Sequence, residues 1–119
     1  MENTQREAIV TVVEGRVRSF EAAEHARDPE RLIAHFASVP EFHFYHDGRR
    51  ATYALMAGGV RSALPAVRSL EVAYADVQVS VLSAEYAVVS ATFRRETTAS
   101  TGVASQSQGG VSWLWRNIN

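Results

Sequence analysis

Apolar positions follow two periods along this chain, and the change of period divides it in half. In the first half they recur every three or four residues. Ile9, Val10, Val13, Val17 and Phe20 form one stripe, while Glu7, Glu14, Arg18 and Glu21 face away. That spacing predicts an amphipathic helix. Thr4 is placed to cap it, Glu7 sits in its first turn, and it ends near Arg27. Gly15 and several β-branched residues make this helix weak by propensity, so it has to lean on a sheet. Asp28-Pro29-Glu30 supplies a cap, a first helical residue and a first-turn acid. A second helix from Pro29 to Ala37 then turns Leu32, Ile33 and Phe36 inward, and Pro40 stops it. His35 lies off that stripe, which reads as a surface or rim position rather than a chemical one.

Glu41 to His46 alternates as a short strand, with Phe42, Phe44 and His46 on one side and His43 and Tyr45 on the other. Asp47-Gly48 signals a tight turn, and Arg49 to Tyr53 a return strand. A third helix from Ala54 to Leu64 carries Met56, Val60 and Leu64 on one face and ends at Pro65. Gly58-Gly59 in its middle costs about 1 kcal/mol each relative to alanine. The pair predicts close packing or local weakness, with room for a ligand or a hinge as the alternative.

From Ser69 onward the period is two. Leu70 to Leu82 and Tyr86 to Thr97 read as two long strands joined by a short turn, rich in Val, Tyr, Phe and Thr. Leu70, Val72 and Tyr74 keep one alternation; Val77, Val79 and Val81 keep the other. The slip beside Asp76 predicts a β-bulge that bends the sheet into a trough. Ala99 to Gln108 is small and polar and reads as a loop. Gly109-Gly110 then opens a last strand, Val111 to Ile118, with Val111, Trp113 and Trp115 on one face. Helices first and antiparallel strands after define an α+β chain. A curved, mostly antiparallel sheet wraps around three N-terminal helices in a single domain, residues 1–119. A trough covered by apolar helices predicts a small-molecule pocket.

Composition narrows the options only a little. With 119 residues, 46% hydrophobic and 21% charged, the chain is an ordinary globular one. A net charge of −1 offers no broad basic field for nucleic acid or an anionic membrane. There is no cysteine, so thiol chemistry is excluded. No apolar run approaches the roughly 20 residues of a membrane span, and the opening MENTQREA is unlike a signal peptide. The expected location is the cytoplasm. His43 and His46 lie on opposite faces of a strand with no third ligand in view, so no metal is expected. No phosphate loop or nucleophile elbow is present, and no cofactor is expected.

Five stretches carry a family resemblance: ARDPERLIAHFA at Ala26 to Ala37, EFHFYHDG, VRSLEVAYADVQV, YAVVSATFRRET and GGVSWLWR. Together they resemble the SnoaL-like branch of the nuclear transport factor 2-like superfamily, over almost the whole chain. The resemblance implies a cone, a bent sheet around a long N-terminal helix with an apolar cavity at the open end. Such chains usually run on past a WxWR-type strand into one more strand, so the resemblance implies a last strand missing or truncated after Asn119. Relatives include ketosteroid isomerase, scytalone dehydratase and limonene epoxide hydrolase, so the fold leaves the reaction open.

Against ketosteroid isomerase, the tyrosine position falls on Phe20 and the acid position on Val111, neither of which can donate a hydrogen bond. That mechanism is not expected here. The remaining candidates for chemistry are His46 or Asp47 as base, with Tyr74 or Arg95 to polarise an oxygen. Phe20, Phe44, Met56, Val89, Phe93, Val111, Trp113 and Trp115 are the candidates for an apolar ligand wall. Three functions remain open. One is a binding protein for an apolar small molecule. Another is a small lyase, isomerase or hydrolase acting on an apolar cyclic substrate. The third is a homodimeric interaction module that uses the face carrying Val77, Val79 and Val81.

Overall fold

A computed structural model describes residues 1–46 and 48–117. Asp47, one candidate base, lies outside the described residues, as does Ile118 at the end of the last expected strand. The order is helix α1 (Asn3–Ala26), helix α2 (Pro29–Ile33), strands β1 (Phe44–His46) and β2 (Arg49–Ala51), helix α3 (Tyr53–Ala63), a 3-10 turn (Leu64–Ala66), and strands β3 (Val67–Val81), β4 (Tyr86–Ala99) and β5 (Ala104–Arg116). β1 and β2 form a small antiparallel hairpin; β3, β4 and β5 form the main antiparallel sheet in that order.

α1 lies along β3 through the predicted stripe. Val13 and Val17 are buried with Val72, Tyr74, Ala87, Val89 and Ala91, and Ile9 and Phe20 pack against them. The helix also closes the outer edge of β3 with side chains. Tyr74 donates its amide hydrogen to Glu21 Oε2 at 2.8 Å, and Arg18 Nη1 donates to the Tyr74 carbonyl at 2.9 Å. His25 Nε2 reaches the Val72 carbonyl at 2.6 Å. Backbone groups that would otherwise lie unpaired beside the core are thus satisfied without a fourth strand.

The bulge falls where the alternation slips. Ala75 pairs with Thr92 and Gln78 with Ser90, so β3 carries one extra residue, and Asp76 adopts a left-handed conformation with φ of 51°. The extra residue restores the phase: Val77 and Val79 return to the side that faces α1 and pack on the core. They are therefore not an outward patch, which corrects the surface expected for a homodimer.

Several boundaries move. α1 starts two residues ahead of its expected beginning, after Glu2, and Thr4 lies inside it rather than capping it. Asp28 does cap α2, accepting from the Arg31 amide. That helix stops at Ile33 rather than Ala37, because His35 and Phe36 bond back three residues, to Leu32 and Ile33, and tighten the chain into a turn. Phe42 bonds to Val39, which delays the first strand to Phe44. Thr52 caps α3 through the Leu55 amide. Nothing lies within 4 Å of a Cβ built on Gly58 or Gly59, so the pair is not a site of close packing.

The largest correction concerns β5. Residues 104–108, expected as loop, pair in register with β4 from Thr98 to Arg94, and only residues 100–103 form the turn. Ladder bonds outweigh weak strand propensity there. Gly109 sits inside the strand opposite Phe93, whose ring covers it; an added Cβ would come within 3.3 Å of that ring. No helix among the described residues is long and apolar enough to cross a membrane.

Candidate functional site

Two polar arrangements flank the core. The first is a cavity of about 160 Å³ between α1, the 35–37 turn and the ends of β4 and β5. Phe20, Phe36, Phe42, Trp113 and Trp115 give it aromatic walls, and Val13, Val17 and Val89 fill the gaps between them. The walls brace one another. Phe20 meets Phe36 edge-on at 5.6 Å and Trp113 at 5.8 Å, and Phe36 meets Phe42 at 5.8 Å. This edge-to-face geometry suits ring quadrupoles and holds the walls apart without collapse. The cavity opens into a wider groove of about 760 Å³ along α1, which shares Arg16, His35, Phe36 and Trp115 with it.

Two charged or titratable side chains line the cavity, Arg16 and His35. His35 is held at both nitrogens: Nδ1 donates to the Arg31 carbonyl at 2.8 Å, and the Ser19 hydroxyl donates to Nε2 at 2.8 Å. Its ring stands edge-on to Phe20 at 5.6 Å. Burial holds its pKa below the usual histidine value, and the charges of Arg16 and Arg31 add to that, so the imidazole is neutral near pH 7. The Nδ1 bond fixes the tautomer and leaves Nε2 as the acceptor. Arg16 is exposed and makes no ion pair or hydrogen bond with any described residue.

The second arrangement is centred on two buried groups, Glu24 and Tyr74, with Arg95 at its partly exposed side. Tyr74 donates its hydroxyl to Glu24 Oε1 at 2.6 Å, and Arg95 Nη2 donates to Glu24 Oε2 at 3.4 Å. Glu24 is 4% exposed and Tyr74 is 6% exposed. Burial pushes the Glu24 carboxyl above its ordinary range, opposed by the Tyr74 hydrogen bond and the Arg95 charge. Burial also pushes Tyr74 well up, and the neighbouring carboxyl adds to it. The Tyr74 ring stacks edge-on against Trp113 at 5.3 Å and does not line the cavity.

The sequence candidates are therefore dispersed. Phe20, Val89, Trp113 and Trp115 meet at the cavity. Tyr74 and Arg95 meet at Glu24, an acid that pattern reading passed over. Phe44 and Met56 belong to a separate cluster with Ile33 and Ala57 under α3. Phe93 and Val111 pack on the main core, with the Arg95 guanidinium 5.4 Å from the Phe93 ring centre. His46 is exposed and stacked on Phe44, on the hairpin, and is not part of the cavity. The strand ends at His46 as expected, but it pairs with β2 in a hairpin separate from the main sheet, away from the cavity. His35, read as a rim residue, is the histidine that lines the cavity.

A bent antiparallel sheet packed on a long N-terminal helix, with two short helices and a hairpin closing the wide end, is a cone-type α+β fold. Solved structures share it. One is a nuclear transport factor 2-like superfamily protein from Salmonella enterica, at TM-score 0.84 and 15% identity, covering 95% of this chain and 82% of that one. A candidate scytalone dehydratase from Novosphingobium aromaticivorans matches at 0.82 and 14%, over 99% and 80%. A ketosteroid isomerase-like protein from Erwinia carotovora matches at 0.72 and 23%, over 89% and 82%. The chain thus has the nuclear transport factor 2-like fold. No protein-family model matches the sequence, and no curated protein does.

Proposed function

We propose that this is a small-molecule-binding protein of the SnoaL-like type, whose ligand seats a flat apolar ring in the cavity between α1 and the β5 tryptophans. The observation that carries this reading is the set of five aromatic side chains around about 160 Å³ of space, four of them braced edge-on against one another. Apolar cavities of roughly 150 Å³ take up a benzene-sized molecule. Binding is favoured over catalysis because the groups expected to converge on a substrate, Tyr74, Arg95 and an acid, converge on one another in the interior instead. His35 has its basic nitrogen engaged by Ser19.

A panel of one- and two-ring compounds, followed by tryptophan emission and thermal shift, tests the reading. Binders should stabilise the fold by mass action, by about 2.7 kcal/mol at a hundredfold excess over Kd, and so raise the melting temperature. Val89→Phe fills the cavity from its floor and should abolish both signals in a folded protein. A panel in which no ring compound alters emission or melting would sink the proposal.

A further inference from the structure

Resting on that reading, we infer that the ligand is an aromatic acid: one ring in the cavity and a carboxylate at its mouth, held by the Arg16 guanidinium. Three observations converge. The ring-sized space sets an upper limit on the buried part, since about 160 Å³ holds a single ring but not a steroid-sized skeleton. Whatever else the ligand carries must extend into the adjoining groove, and Arg16 lines both spaces.

Arg16 also follows Val13 by three and precedes Phe20 by four, so it stands at the exposed edge of the apolar stripe, where the stripe meets the cavity. The other arginines that reach across the fold are engaged: Arg18 bonds Glu21 and the Tyr74 carbonyl, Arg61 bonds Glu30, Arg95 bonds Glu24 and Arg116 bonds Glu41. Arg16 bonds none of the described residues. A guanidinium beside aromatic walls, whose donors engage none of the described residues, suits a planar carboxylate, which accepts two parallel hydrogen bonds.

The second polar group at the cavity sharpens the class. His35 is held with its donor nitrogen turned to the Arg31 carbonyl, so it presents no second cation to the ligand. One fixed positive charge matches one carboxylate better than a phosphate dianion. The apolar remainder of the lining disfavours further polar groups on the ring, because each would lose its water without a partner.

Phenylacetate and phenylacetamide test this, because they share a ring and a shape and differ in charge. The wild-type protein should bind the acid at least tenfold more tightly by calorimetry, and Arg16→Gln should erase that advantage. Arg16→Lys should recover only part of it, since an ammonium lacks the fork. Equal affinity for acid and amide in the wild type would overturn the inference, as would an advantage that survives Arg16→Gln. If neither compound binds while neutral ring compounds do, the anion assignment falls and the cavity reading stands. If no ring compound binds at all, both fall together.

Discussion

The buried cluster at Glu24 and the open cavity lined by His35 both border α1 and use similar residue types, yet they differ in how their polar groups are satisfied. At Glu24 each charged or hydroxyl group has a protein partner, and Glu24 and Tyr74 are shut into the interior while Arg95 reaches them from the partly exposed side. At the cavity Arg16 has no described partner and the aromatic walls leave space. A satisfied buried network fixes how helix and sheet meet. A cation left over beside a hollow is available to something that is not the protein. The contrast assigns structure to one end and binding to the other, although the buried end holds more of the residues that sequence reading marked for chemistry.

That contrast breaks first at Tyr74. Tyr74→Ala removes a ring packed on Phe20 and Trp113 and leaves Glu24 with Arg95 alone, so chemical denaturation should show a loss of about 3 to 5 kcal/mol. A loss under about 1 kcal/mol would mean that the buried cluster does not hold helix to sheet.

The next effect comes from the two titrating groups, and its sign differs between the two ends. Glu24 has a raised pKa in the fold, so it keeps its proton while the unfolded chain loses one above 4.5. Its contribution to stability therefore falls as pH rises from there to its folded value. His35 has a lowered pKa, so the unfolded chain takes a proton below 6.5 that the fold refuses, and stability falls as pH drops through that point. In urea melts across this range, Glu24→Gln should remove the falling limb and His35→Gln the rising one. Glu24→Gln keeps an acceptor for Tyr74, whereas Glu24→Ala strands the hydroxyl and should cost about 1 to 3 kcal/mol. Equal costs for the two Glu24 variants would remove the hydrogen bond from the account.

The smallest effect sharpens the comparison most. Arg16→Gln should leave stability within about 0.5 kcal/mol of the parent, as for an exposed residue without a partner. A loss comparable to that at Tyr74 would place Arg16 among the structural residues.

Much of the fold was legible because long periodic runs are hard to misread. The stripe from Ile9 to Phe20, the Asp28-Pro29 cap and the slip at Asp76 each depend on local chemistry that the chain spells out. The Ser- and Gln-rich start of β5 was not legible, since its structure comes from the partner strand. Nor was the short extent of α2, which is decided by backbone bonds in the 34–36 turn. At the site, Phe20, Val89, Trp113 and Trp115 could be grouped by face alone. The polar residues could not, because those at the cavity stand on α1 and the 35–37 turn rather than on the strands. The usable signal lay on the helix: Glu24 continues the apolar stripe of Val13, Val17 and Phe20 and Arg16 flanks it, and a charged residue in or beside such a face asks for a partner or a ligand.

The one-residue bulge at Asp76 works like a reading-frame correction written in space. Deleting Asp76 would leave Tyr74, Val77 and Val79 in one unbroken alternation, whereas forcing Asp76 into the regular ladder would turn Val77 and Val79 out of the interior and bring Gln78 and Ser80 in. Chains descended from this one can therefore lose that one residue and keep the same buried face, whereas any other single-residue change in the distal half has to be offset by a bulge gained or lost elsewhere along the strand.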